Sequence, residues 1–320
     1  MGGASEPVRD TFVGCVDVIV VSFNTKELTL RCVNALCSEP AVAMVCVVDN
    51  GSTDGSREAL IHRSYEQNVS QDGPRLKVEC LPENRGFGAA NNLGISATGA
   101  EFVALINSDA FVLSGTLERL CSYLRGFPEV GLVGPRLLNA DGSFQESRFE
   151  FPSPGRAWAE NLGLTRLMKL QRPWGNPVRA WRSGVVDWLS GACLLVRREV
   201  WEQTGGFDED FFLYSEETDW QVRIRQMGWE IHWVPDAVAT HLGGSSGASQ
   251  RDAIREHFYE SVDRYFLKHY GRFGACSLRC ATIVGAALRW VAAVLSSSPT
   301  RKKNSAWVFH RQSRRPLPTR

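Results

Sequence analysis

The chain has nine cysteines but no Cys-x-x-Cys pair, and an odd number of thiols cannot all pair with one another. Cys46 and Cys193 sit in apolar runs where a thiol packs as a small hydrophobe, so a reducing cytoplasm is expected rather than a disulfide framework. The N-terminal Met-Gly-Gly-Ala-Ser-Glu-Pro lacks the cationic and apolar regions of a signal peptide, and Glu6 stands where myristoylation wants Ser or Thr. Export and acylation are therefore not expected. No internal repeat is evident. An excess of one charge is also missing, because the net charge is only +1. The distribution is uneven, however: the last 22 residues hold seven Lys/Arg and no acid, which leaves the rest of the chain near −6.

A long uninterrupted apolar run is absent too. Ala275–Leu295 is mostly apolar, but Arg279 and Arg289 fall inside it. Each would cost roughly 2.5–3.5 kcal/mol at a bilayer centre, so a spanning helix is disfavoured. Followed by the basic tail, the segment reads as an interfacial helix on an anionic inner leaflet. Nucleic acid is not expected as a partner, since no aromatic or groove-reading motif accompanies the charge.

What is present is a repeated strand-helix alternation over the first 135 residues. Val16–Phe23, Ala43–Asp49, Leu76–Leu81 and Phe102–Asn107 are short apolar runs of the kind buried on both faces. Helical patterns near 26–38, 54–66, 87–98 and 114–126 come between and after them. This predicts an α/β fold with a mostly parallel central sheet flanked by helices. In such sheets ligands bind beyond the carboxyl ends of the strands. Those ends carry Ser22-Phe23-Asn24, Asp49-Asn50-Gly51-Ser52, Glu83-Asn84-Arg85-Gly86 and Asn107-Ser108-Asp109.

Each cluster has a structural and a functional reading. Ser52 or Asp54 can cap the helix that follows, whereas Asp49 and Asn50 can pair with the N3–H edge of a uracil or thymine. The turn from Glu83 to Asn92 fails as a dinucleotide fingerprint, because Asn91 replaces the third glycine and the turn follows the third strand. Arg85 beside a helix N-terminus remains a diphosphate contact. Asn107 and Asp109 lie on one side of an extended segment, where they can close a turn or present oxygens to Mg²⁺ or Mn²⁺ on a diphosphate.

Segment 140–184 is broken by Pro152, Pro154, Pro173 and Pro177, and reads as a mobile loop at the mouth of the site, with one short helix near 156–170. An apolar strand at Val186–Arg197 carries Trp188, Ser190 and Gly191, whose small residues allow an acceptor or a diphosphate to approach. A helix near 216–228 opens with Glu216, Glu217 and Asp219, where carboxylates also suit the helix dipole. A transferase moving a sugar onto a hydroxyl needs a carboxylate to take the proton; Glu217 is the candidate and Asp219 the reserve. His232, inside the strand 230–235, reads as structural. His241 precedes a glycine-rich turn and can reach a metal.

Taken together, these segments resemble glycosyltransferase family 2, the inverting GT-A enzymes, over about residues 14–270. The resemblance is carried by Val-Ile-Val-Val-Ser-Phe-Asn (18–24), Val-Val-Asp-Asn-Gly-Ser-Thr-Asp-Gly-Ser (47–56), Asn-Arg-Gly-Phe-Gly-Ala-Ala-Asn-Asn-Leu-Gly (84–94) and Leu-Ile-Asn-Ser-Asp (105–109). It continues through Leu-Ser-Gly-Ala (189–192), Gly-Gly-Phe-Asp-Glu-Asp-Phe-Phe (205–212), Glu-Glu-Thr-Asp (216–219) and His-Leu-Gly-Gly-Ser-Ser (241–246). The similarity is greatest to bacterial rhamnosyltransferases of cell-wall or O-antigen polysaccharide assembly.

The resemblance implies a nucleotide site of Ser22, Asn24, Asp49, Asn50, Asn84, Arg85, Gly86, Asn91 and Asn107. It implies Asp109 and His241 at a divalent metal, Mg²⁺ or Mn²⁺, and Glu217 as base. Trp188, Ser190, Gly191 and Glu216 would face the acceptor. Asn107 stands where the generic metal motif has Asp, and Glu217 where the family's Glu-Asp pair has Asp, which keeps Glu216 and Glu217 both open as the base. The expected donor is dTDP-rhamnose or a UDP-sugar, and the expected acceptor is lipid-linked or a polysaccharide. Residues 271–320 are expected to form a C-terminal amphipathic helix and basic tail, placing the enzyme at the inner face of the plasma membrane. A stripe of Ile254, Phe258, Val262, Tyr265 and Phe266 predicts that 251–270 docks back on the catalytic domain.

Overall fold

The computed structural model describes residues 14–164, 181–243, 251–295 and 299–317. Strands β1 (Val16–Ser22), β2 (Val42–Asn50), β3 (Arg75–Leu81) and β4 (Phe102–Asn107) alternate with helices α1 (Lys26–Leu36), α2 (Ser56–Ser70) and α3 (Phe87–Ser96). The chain then forms β5 (Ala110–Val112), α4 (Thr116–Gly126), β6 (Val130–Leu138), β7 (Phe144–Gln145), β8 (Arg148–Phe149) and α5 (Pro154–Asn161). After it come β9 (Gly184–Val185), β10 (Trp188–Leu189), β11 (Cys193–Arg197), α6 (Arg198–Thr204), α7 (Glu216–Gln226), β12 (Glu230–His241), α8 (Arg251–Leu295) and α9 (Pro299–Arg314).

The main sheet has the order β3-β2-β1-β4-β11-β6-β12-β5. The first four strands are mutually parallel, β11 runs antiparallel between β4 and β6, and β12 is parallel to β6. Alternating side chains build two cores. Val18 and Val20 pack with Val33, Leu36 and Leu60 on one face, while Ile19 meets Ile95, Leu105 and Trp220 on the other.

The departures from expectation have local causes. β6 escaped notice because Gly131, Gly134 and Pro135 interrupt its pattern. Pro135 is tolerated because β12 shifts register there, Val234 facing Pro135 and Val238 facing Arg136, so the ladder already skips at the missing N–H. The expected strand 186–197 is two strands, parted at Ser190-Gly191-Ala192, and the strand expected at 230–235 continues to His241.

The helix expected near 156–170 starts earlier, at Pro154, where Ser153 accepts a hydrogen bond from Arg156 N–H, and ends at Asn161. Residues 165–180 of that stretch, and Ser245 and Ser246 of the glycine-rich turn, lie outside the described residues. Tyr265 and Phe266 dock as expected, packing with Ala157 and Phe211, whereas Phe258 stays 45% exposed and meets Tyr214 edge-on.

Part of the basic tail is engaged in the fold. α9 folds against α8, with Arg311 buried and paired to Glu256 and Asp263, and Arg315 paired to Glu256 and Glu260. Arg279, read as an interruption of an apolar run, turns inward to Asp263 and also donates to the Arg315 and Pro316 carbonyls. α8 itself kinks at Gly271, whose φ of 64° is left-handed.

Candidate active site

At the carboxyl end of β2, Asp49 is fully buried; its Oδ2 accepts from Ser52 N–H at 3.3 Å and lies 3.5 Å from Arg57. Its Oδ1 has no hydrogen-bond partner among the described residues. A buried, unanswered carboxylate oxygen is costly unless a ligand completes it. Asp49 therefore keeps an open acceptor at the end of the strand.

Its neighbours are committed to the fold. The Asn50 carboxamide donates to Asn84 Oδ1 (3.0 Å) and Gly86 O (3.1 Å) and accepts from Arg85 N–H (2.9 Å). Asn50 thus shapes the 84–86 turn instead of facing a ligand. Asn84 closes the same turn by accepting from Gly86 N–H at 2.9 Å. Gly86 is required there: its φ is 91°, and a Cβ would lie 2.4 Å from the Phe212 carbonyl oxygen.

Other expected nucleotide contacts also have partners inside the fold. Ser22 is fully buried on Thr29, with 2.9 Å between the hydroxyls, and the buried Asn91 donates to Phe87 O at 2.9 Å. Asn24, itself left-handed, accepts from Thr53 N–H at 2.8 Å and ties the first loop to the second. Arg85 alone among them points a charge outward, 3.2 Å from the half-exposed Glu209.

The second arm begins at β4. Asn107 N–H donates to Ala192 O at 3.0 Å, and its buried Oδ1 has no partner among the described residues. Asp109 is buried, with its Oδ1 3.4 Å from His241 Nε2, because β12 pairs with β5 in the register His241 to Ala110. Among the described residues no group of three His, Cys, Asp or Glu could hold a metal ion. One carboxylate and one imidazole nevertheless fit an ion that takes its other ligands from diphosphate and water, as Mg²⁺ and Mn²⁺ do.

The third arm is the start of α7. Tyr214 and Ser215 are both left-handed, with φ of 69° and 64°, a strained approach that sets Glu216 and Glu217 into the interior. Glu216 is buried and Glu217 half-buried, and each has an Oε2 without a partner among the described residues. Burial first, then the charge of Glu217, pushes the Glu216 carboxyl well above the usual carboxylate range. Burial also raises Glu217, opposed by backbone N–H bonds.

Asp219 is equally buried, but it receives His269 Nε2 (2.8 Å), Lys268 Nζ (2.8 Å) and Arg223 Nε (3.0 Å). Burial works to raise its pKa; the bonds from His269 and Lys268 and the charge of Arg223 outweigh it and hold the carboxyl low. Asp219 is thus the anchor of α7 on α8, not a reserve base.

The arms converge around Ser190-Gly191-Ala192. A Cβ on Gly191 would sit 3.5 Å from Glu217 Cγ and 3.9 Å from the Phe87 ring. Ala192 carries Asn107, as above. Ser190 N–H donates to Ser147 O at 2.9 Å, and Trp188 stacks on Phe149 with centroids 4.5 Å apart while donating to Glu150 O. Beneath them Gln221 brackets Leu189, accepting from its N–H and donating to its carbonyl, both at 2.8 Å. Gln221 and Gln145, which accepts at 2.9 Å from His241 Nδ1, were missed in sequence because a single Gln carries no motif.

The sheet edge thus carries a carboxylate-imidazole pair at one strand end and, at a helix start, two glutamates that each keep an Oε2 unpartnered among the described residues. The pattern described as Glycosyl transferase family 2 matches residues 17–204, and the chain belongs to that family. It is 28% identical over 290 residues to an N-acetylglucosaminyl-diphospho-decaprenol L-rhamnosyltransferase of Mycobacterium tuberculosis, covering 80% of this chain and 87% of that one. It is 25% identical over 253 residues to a dTDP-rhamnosyl transferase, RfbF, of Shigella flexneri, covering 78% and 75%.

Among solved structures it resembles a mannosyltransferase of Pyrobaculum calidifontis in complex with GDP-Man and Mn²⁺, with a TM-score of 0.57 and 19% identity over 93% of this chain and 86% of that one. It also resembles S. aureus TarS 1-349 in complex with UDP-GlcNAc, with a TM-score of 0.53 and 17% identity over 95% and 81%. The fold is GT-A and the protein is a glycosyltransferase of the hexosyltransferase class.

Proposed function

We propose that the enzyme transfers L-rhamnose from dTDP-rhamnose, with inversion, onto a hydroxyl of a lipid-linked or polysaccharide acceptor. The reading is carried by Glu217, a half-buried carboxylate with a free oxygen against the open backbone of Gly191. The named activities of the two rhamnosyl relatives supply the donor. Asp49 would take the N3–H of the base, and Arg85 a diphosphate oxygen.

Asp109 and His241 would hold a divalent cation, which when bound neutralises charge developing on the leaving diphosphate. Glu217 accepts the acceptor's hydroxyl proton as that oxygen attacks the anomeric carbon, on the side away from the diphosphate. Its raised pKa moves it toward the range where a general base is most effective, and Glu216 beside it is pushed up further by burial and by the charge of Glu217.

A second reading changes only the donor, to a UDP-hexose or UDP-galactofuranose. An inactive sugar-nucleotide-binding scaffold is the alternative from a different class. Nucleotide release by purified protein with Mg²⁺ or Mn²⁺, offered dTDP-rhamnose, UDP-galactose, UDP-glucose and UDP-galactofuranose in turn with a polyprenyl-diphosphate sugar acceptor, separates the three. Release from dTDP-rhamnose alone supports the proposal; release from a UDP-sugar alone overturns the donor; binding without any turnover supports the scaffold.

Residues 14–270 would form the catalytic domain, with the C-terminal helices meeting the inner membrane face. In the second half of α8, Phe273, Val284, Leu288, Val291 and Leu295 recur at helical spacing and are 86%, 38%, 52%, 50% and 82% exposed. Arg279 faces inward, as above, and Arg289 reaches Asn161 Oδ1 at 3.3 Å. The stripe is thus uninterrupted over ~33 Å at 1.5 Å per residue. With Arg311 and Arg315 tied down, this apolar face would carry the contact together with the tail's other cations. Full-length protein is expected to float with anionic liposomes at low salt, and L288D/V291D to stay in solution; wild type that stays in solution overturns the membrane reading.

A further inference from the structure

Gln145 lies on β7 behind His241, and its carboxamide has only one orientation that its partners allow. Its Nε2 lies 2.9 Å from Asn139 Oδ1 and 3.2 Å from the His241 carbonyl oxygen, both acceptors. Asn139 is itself oriented, since its Nδ2 donates to Ser143 Oγ at 2.9 Å. Nε2 must therefore donate to both, and Oε1 is the atom left to face His241 Nδ1 at 2.9 Å. An amide oxygen only accepts, so Nδ1 carries the hydrogen. A neutral imidazole then has its lone pair on Nε2, 3.4 Å from Asp109 Oδ1. A divalent cation bound between Nε2 and this carboxylate would be shared by both.

We propose that Gln145 is a positioning residue that locks His241 in its Nδ1–H tautomer and aims Nε2 at the divalent cation held with Asp109. The inference rests on the metal reading given above. It differs from it in assigning a role to a residue that touches neither donor nor metal. Backing partners of this kind typically change metal affinity by about 10–100-fold. Gln145→Met keeps the side chain's length but removes the acceptor, whereas Gln145→Glu keeps an acceptor for Nδ1–H.

The test is Mn²⁺ binding in the presence of dTDP, read by electron paramagnetic resonance, beside ¹⁵N imidazole spectra that report the His241 tautomer. Q145M is expected to bind Mn²⁺ about tenfold or more weakly, with His241 in mixed tautomers. Q145E is expected within about threefold of wild type, well inside that range, with Nδ1 protonated. If D109A and H241A weaken Mn²⁺ binding but Q145M does not, the positioning role falls and the metal site stands. If neither D109A nor H241A changes Mn²⁺ binding, the metal reading itself falls. Should Q145M fail to fold by circular dichroism, Q145E still decides: mixed His241 tautomers in folded Q145E overturn the proposal.

Discussion

Glu217 and Asp219 stand two residues apart in the first turn of α7, and the two faces of that turn meet opposite surroundings. Asp219 points at α8 and is surrounded by Arg223, Lys268 and His269. Glu217 lies against Gly191, with a carboxylate oxygen unanswered among the described residues. Both are withdrawn from solvent. What separates an anchoring acid from one available to move a proton is the partner brought by another segment, because burial works to raise both pKa values and only at Asp219 do the bonds from His269 and Lys268 and the charge of Arg223 outweigh it.

The comparison is broken most sharply by exchanging each acid for its neutral isostere. Glu217→Gln is expected to lower kcat by about 10²–10⁴-fold while leaving donor binding intact, measured by steady-state turnover and by titration with dTDP. Asp219→Asn is expected to do the reverse, keeping the chemistry while lowering stability. Removing one member of a buried pair typically costs about 3–5 kcal/mol, and the lower end applies because Lys268 and Arg223 reach solvent. Urea denaturation reads that loss. If D219N inactivates the enzyme without destabilising it, the assignment of the two acids is inverted.

A subtler contrast lies in pH. The Asp219 pKa is depressed, so its contribution to stability is present above the ordinary carboxylate value and is lost as pH falls through the folded one. The Glu216 pKa is raised, so its contribution is present below the ordinary value and is lost as pH rises through the folded one. Glu216→Gln is therefore expected to be more stable than wild type at pH 8, with the advantage shrinking toward pH 4. Thermal midpoints across that range check it, and parallel curves for the two proteins would show that Glu216 is not held protonated.

Much of the architecture could be read in advance, for identifiable reasons. β1, β2 and β4 are buried on both faces, so they appear as unbroken Val/Ile/Leu runs, and the alternation with helices implied their parallel order. β6 could not be read, because Gly131, Gly134 and Pro135 interrupt its apolar pattern, and Pro135 is accommodated where β12 skips register. The structural reading of His232 agrees with its position between Tyr123 OH and Glu230, 2.9 and 2.8 Å away. Polar residues at strand ends were harder to sort, since Ser22, Asn50 and Asn91 look as available in a string of letters as Asp49 and Asp109 do.

The sequence by itself determined the strand-helix order, the two apolar faces of the sheet, and the gathering of Asn, Asp and Glu at the carboxyl ends. These follow from periodicity and chain direction, both local properties. Only the tertiary structure decided which of those polar groups remain free. Asn50 is occupied by residues 34 to 36 positions away, and Asp219 by His269, 50 away. A hydrogen bond lasts only where both partners are held within about 3 Å, and packing alone brings such distant segments that close.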